Sequence, residues 1–167
     1  TASDSTGSSW LRLNADASLF LATGTNSVRR QHSIQVRQAS DGRAVGKTIE
    51  WPGLISDATF VANSTLVALG GSRLRPTPFT ETISTQDLDQ EGVAQFFDYE
   101  TGERRFAELT TPSEPIAVQA SPDGRVIVAL CHRGQLVLID GRKGTRLIDV
   151  QAFGGEPANY GYVIRDR

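Results

Sequence analysis

Few residues in this chain are of the types that carry chemistry. His32 and His132 are its two histidines, and neither has the HExxH spacing of a metal-binding helix. Cys131 is its one thiol, so a zinc site with three or four convergent ligands has too few soft donors. At the end of an apolar run, Cys131 reads as a small buried side chain, since free cysteine is among the most buried types. No Walker-type loop, GxSxG elbow or kinase catalytic motif is present. Gly70-Gly71 and Gly154-Gly155 lack the rest of a phosphate loop and read as turn or bulge glycines. Asp123 and Asp140 stand beside glycines and read as turn formers, not general acids. No catalytic residue, metal ligand or cofactor is assigned from the sequence.

What could position a site is a repeated element. In ASPDGRVIVALCHRGQLVLIDGRKGTRLIDV, from Ala120, the residues Pro122, Asp123 and Gly124 give a tight turn. Val126 to Leu130 is an unbroken apolar run of the kind found in strands buried on both faces. Leu136 to Ile139 and Thr145 to Val150 follow as further strands, and Ile116 to Gln119 precedes them. The same order occurs twice earlier. It runs through WLRL, LFLAT, SIQVR and RAVGKTI, and then through DATFV, TLVAL, VAQFF and ERRFAEL.

Three turns share a glycine four residues after a polar residue: Gln38 to Gly42, Asp98 to Gly102 and Asp140 to Gly144. Glycine takes a left-handed conformation there at no steric cost, and Asp98 and Asp140 can accept from turn amides. From Gly42 to Leu66, and from Gly102 to Val126, the interval is 24 positions. The variable part lies between second and third strands, where SRLRPTPFTETISTQDLDQE (72–91) sits. That stretch is therefore a loop inside one unit and not a domain linker.

Four-stranded units of about 40–45 residues are the sequence signature of a β-propeller. The stretches SPDGRVIVAL (121–130), LVLID (136–140), QFFDYETGE (95–103) and DGRAVGKTIEWPG (41–53) resemble the WD-repeat family. The resemblance is to its loosely conserved bacterial repeats, often attached to Ser/Thr protein kinase domains, and it covers roughly residues 10–151. The family's Trp-Asp pair stands here as Phe97-Asp98 and Ile139-Asp140, and its Gly-His pair is missing. Its buried Asp-His-Ser/Thr-Trp network therefore cannot form, and apolar packing must hold the blades.

The expected fold is all-β: a β-propeller fragment of three four-stranded antiparallel blades plus the inner strand of a fourth. The expected divisions are a disordered or linker tail at 1–9, blades at 10–50, 51–110 (with a long insertion at 72–91) and 111–151, and a crossover and inner strand of an incomplete fourth blade at 152–167. The next second strand would begin one residue past Arg167, so the ring is incomplete. A piece of a larger propeller is the first expectation. Two copies closing a six-bladed ring is the second.

The elastic loops and the crossover at 153–161 share one rim, which the resemblance implies is the rim where propellers bind partners. They would gather Arg29, Arg30, Arg73, Arg75, Phe79 and Tyr160 beside Glu81, Asp87, Asp89 and Glu91. Arginine and aromatic residues are enriched at binding hot spots. The expected function is a non-catalytic scaffold holding a protein or peptide on that rim, or the sensor region of a bacterial Ser/Thr kinase. The competing class is a propeller enzyme, a hydrolase or quinoprotein, with Arg12, Asp57, Thr59 and Gln119 on inner strands facing a central channel. A formal charge of -2 gives no general attraction to nucleic acid or anionic membranes. No apolar run approaches the roughly 18 residues of a membrane span. The sequence leaves the compartment open, with the cytoplasm favoured and any targeting segment lying outside this stretch.

Overall fold

The structure, a computed structural model, describes residues 11–26, 31–73 and 92–152. Among them there is no helix, and no helix long and apolar enough to cross a membrane. Among the described residues, twelve strands form three separate four-stranded antiparallel sheets, each a simple meander. Sheet I holds β1 (Leu11–Leu13), β2 (Leu19–Asn26), β3 (Gln31–Gln38) and β4 (Ala44–Trp51). Sheet II holds β5 (Gly53–Phe60), β6 (Leu66–Arg73), β7 (Gly92–Asp98) and β8 (Leu109–Thr111). Sheet III holds β9 (Pro115–Ala120), β10 (Val126–Cys131), β11 (Gln135–Asp140) and β12 (Arg146–Gln151).

The turn between third and fourth strands has one construction in all three sheets. Gly42, Gly102 and Gly144 have φ of 71°, 74° and 66°. Their amides donate to the carbonyls of Gln38, Asp98 and Asp140 at 2.9, 2.8 and 2.8 Å. Asp98 Oδ1 also accepts from the amides of Glu100 and Thr101, and Asp140 Oδ1 from those of Arg142 and Lys143. A carboxylate that collects two turn amides fixes the loop locally, so the sheets repeat without a shared core motif.

Sheet II is sandwiched. One face packs Val67, Leu69, Val93 and Phe97 against Leu21, Ile34, Val36 and Ile49 of sheet I. The other packs Ala68, Ala94 and Phe96 against Ile127, Ala129, Val137 and Ile139 of sheet III. Strands β6 and β7 are accordingly buried on both faces over nearly their whole length, whereas β12 is exposed throughout. Trp51, which ends β4, is fully buried and meets Phe97 edge-on at 6.4 Å. Its indole N–H donates to the Ser72 carbonyl at 3.4 Å.

Two expectations need correction. The run Val126–Leu130 is not buried on both faces: Ile127 and Ala129 are buried, while Val126, Val128 and Leu130 are half-buried. No described sheet lies beyond sheet III to cover that side. The fourth strand of sheet II is not continuous over ERRFAEL (103–109). Only Arg104 bridges Phe97 before pairing resumes at Leu109. Phe106 interrupts it by stacking edge-on against Phe96 at 5.4 Å, while Gln95 Nε2 donates to the Phe106 carbonyl at 2.8 Å. Gly70 and Gly71, expected at a turn or a bulge, lie inside β6 opposite a bulge of β5 between Ile55 and Asp57, as the second alternative has it. The linker tail at 1–9 and the strand expected within 153–167 lie outside the described residues.

Candidate functional site

The first strands of the three sheets bring polar residues together. Arg12 of β1 donates through Nη2 to both carboxylate oxygens of Asp57 in β5, at 2.7 and 2.9 Å. Arg12 Nη1 also reaches Gln119 Oε1 of β9, at a weak 3.4 Å. Asp57 Oδ2 accepts in addition from the Val118 amide of β9, at 2.8 Å. One carboxylate thus ties sheet II to both neighbours. Its side chain is 11% exposed, that of Arg12 37%.

Local features of β5 and β6 make this possible. The β5 bulge sets Asp57 opposite Gly70. A Cβ on Gly70 would lie 2.6 Å from Val118 Cγ2, so only glycine lets β9 approach this closely. Of the four inner-strand residues expected to line a channel, Arg12, Asp57 and Gln119 therefore meet. Thr59 is buried beside them, with its hydroxyl 3.4 Å from the Phe60 carbonyl. The meeting is one of mutual satisfaction: neither Asp57 oxygen lacks a donor. Among the described residues no group of three His, Cys, Asp or Glu converges to hold a metal ion.

No protein-family model matches this chain, and no curated protein does.

Of the rim residues expected to bind a partner, only Arg73 is among those described. It ends β6, about half exposed, and its guanidinium grips Glu108 Oε2 at 2.7 and 3.1 Å. Arg29, Arg30, Arg75, Phe79 and Tyr160 lie outside the described residues. The β2–β3 and β6–β7 connections do leave the sheets at one end, the end where β4 passes into β5 and β8 into β9.

At the opposite end the first-to-second-strand turns enclose a cleft of about 580 Å³. Asn14, Asp16, Phe60, Asn63, Tyr99 and Ser121 are among its walls, and Thr59 and Gln119 reach it from the inner strands. Hydrogen bonds from the Ser18 hydroxyl and amide hold the Asp16 carboxyl below its usual range. Sequence reasoning missed this cleft, because each lining turn reads alone as ordinary loop chemistry.

Two further ties between elements also escaped it. His32 of β3 accepts through Nδ1 from the Ile55 amide of β5 at 3.2 Å, which requires the neutral ring. Burial lowers its pKa in the same direction. Thr65 donates to Asp98 Oδ2 at 2.7 Å, and this bond, ahead of the turn amides, holds the Asp98 carboxyl low.

Proposed function

We propose that the chain is a non-catalytic interaction module: three blades of a WD-repeat-like β-propeller whose remaining blades come from outside these 167 residues. The observation that carries this is the state of Asp57. The charged residues on the inner strands, Arg12 and Asp57, are the natural material for a channel-lining catalytic set, and they are spent on each other. Arg12, Asp57 and the Val118 amide join three sheets, which favours a structural use of these groups over a chemical one. Three meanders with one turn geometry and successive face-to-face packing support the propeller architecture.

The partner in this reading is a protein or peptide held on the rim that carries the β2–β3 and β6–β7 connections. A pull-down compares the full chain with one in which Asn-Gly replaces 74–91, leaving a three-residue Arg73-Asn-Gly loop between the paired Ser72 and Gly92 with glycine at its left-handed position. The partner is retained by the first and lost by the second, with unchanged circular dichroism in both. Equal recovery removes the rim from the proposal. Retention that disappears instead on filling the opposite cleft, with Ala15→Trp, moves the site there.

A further inference from the structure

Among the described residues, the exposed large hydrophobic side chains all lie at the two ends of the stack of sheets. Leu11 and Leu13 are 65% and 57% exposed on β1, and Leu147, Ile148 and Val150 are 54%, 53% and 40% exposed on β12. The repeat shows what the sheet III end lacks. Val36, Phe96 and Leu138 each stand six positions ahead of the turn glycine. Val36 and Phe96 are 0% and 1% exposed beneath the next sheet, but Leu138 is only half-buried. Likewise Ile34 pairs with Ile49, which sheet II covers, and Leu136 pairs with Val150, which nothing described covers. The free face therefore presents Val126, Val128, Leu130, Leu136, Leu138 and Val150 as a continuation of an interface used twice already.

We propose that this face docks sheet I of a second copy, head to tail, so that two copies close a ring of six sheets. The inference rests on the propeller reading. Sheet I offers the matching free face, where Leu11 pairs with Ala22 and Leu13 with Phe20. Arg37 on that face and Asp140 on the sheet III face lie near the turn ends and carry opposite charges. Area argues for closure over self-pairing of two sheet III faces. With strands about 4.8 Å apart and about 3.3 Å per residue, one sheet face covers roughly 300 Å² of plane. One such contact falls short of the about 800 Å² per partner of a stable interface, and two, with their side-chain relief, reach it. Self-pairing would also leave Leu11 and Leu13 in water.

Light scattering on the purified 167-residue chain tests this, with the expectation of twice 18.1 kDa, falling to the single mass on dilution. Leu138→Asp and Leu11→Asp should each weaken association about tenfold or more. An equimolar mixture of the two regains part of it, because a mixed pair keeps one unaltered junction. Near-UV circular dichroism confirms that each variant is folded, and Leu11→Asp, on an exposed edge, serves if Leu138→Asp is not. A monomer at every concentration overturns the proposal and leaves the face to a sheet from elsewhere in a longer polypeptide or from another protein. A dimer indifferent to Leu11→Asp overturns it in favour of self-pairing. Partner retention by the rim is read separately on the monomeric variants, so failure here does not decide that question.

Discussion

Asp57 accepts a hydrogen bond from the backbone amide of Val118, a residue of a different sheet 61 positions away. The bond turns a side chain into part of the neighbouring strand's hydrogen bonding. It sits at the end of β5's bulge and opposite a glycine, so sequence, backbone irregularity and inter-sheet contact are one device. Removing the carboxylate orphans both the Val118 amide and one side of Arg12. Asp57→Ala should cost about 2–4 kcal/mol in denaturant unfolding. Arg12→Ala should cost only about 1 kcal/mol, because its side chain is more than a third exposed and water replaces much of the pair. Equal losses for the two would mean that the Val118 bond contributes little.

Gly70 is the steric half of the same device. An alanine there would place Cβ 2.6 Å from Val118 Cγ2 and 2.7 Å from Pro115 Cβ. The β9 strand must move away, and the Asp57–Val118 bond lengthens with it. Gly70→Ala should destabilise by about 1–3 kcal/mol. Combined with Asp57→Ala, the loss should be less than the sum, since the two changes break one contact. Strict additivity in the double-mutant cycle would show that the glycine and the carboxylate act independently.

His32 gives the chain a pH dependence of defined sign. Its folded pKa is depressed by burial, and its Nδ1 must stay unprotonated to accept from Ile55. The unfolded state therefore binds the proton more readily. Stability from this group is complete above the ordinary histidine value of about 6.5 and is lost as pH falls from there through the lower folded pKa. Unfolding curves taken from neutral pH down to the onset of carboxylate titration should show that decline in the native chain. They should show it flattened in His32→Ala. A decline of equal slope in both would assign it elsewhere.

How much could be read beforehand follows from where each determinant lies. The turn glycines and the Asp98 and Asp140 caps are local demands, met within five residues of chain, and they set the strand order and the sheet count. The burial of Val126, Val128 and Leu130 is not local. Their run looks like any two-faced buried strand, and only the absence of a described sheet beyond sheet III leaves them half-buried. The outer strand of sheet II is interrupted for a similarly non-local reason, since Phe106 packs edge-on against Phe96 where pairing breaks off. Arg12, Asp57 and Gln119 are legible in the sequence as polar residues on inner strands. Their mutual bonding cross-links chain segments 45 and 107 positions apart, which no periodicity reports.

Cys131 offers a probe of whether sheets II and III separate. It ends β10 on the face turned to sheet II and is 0% exposed. Burial pushes its thiol above the ordinary range, so little thiolate forms even at mildly alkaline pH. A disulfide reagent should leave the folded chain unlabelled over the minutes in which the denatured chain reacts completely. Labelling then proceeds only through opening events that part the two sheets, and its rate reports their frequency. Asp57→Ala removes the Val118 tether across that junction, so it should raise the labelling rate well beyond any change caused by Arg12→Ala. The Arg12 bond spans the other junction, between sheets I and II, and its loss leaves the wall around Cys131 closed. Acceleration of each variant in proportion to its own loss of unfolding free energy would mean that Cys131 is reached only through global unfolding, and that the three sheets open as one unit.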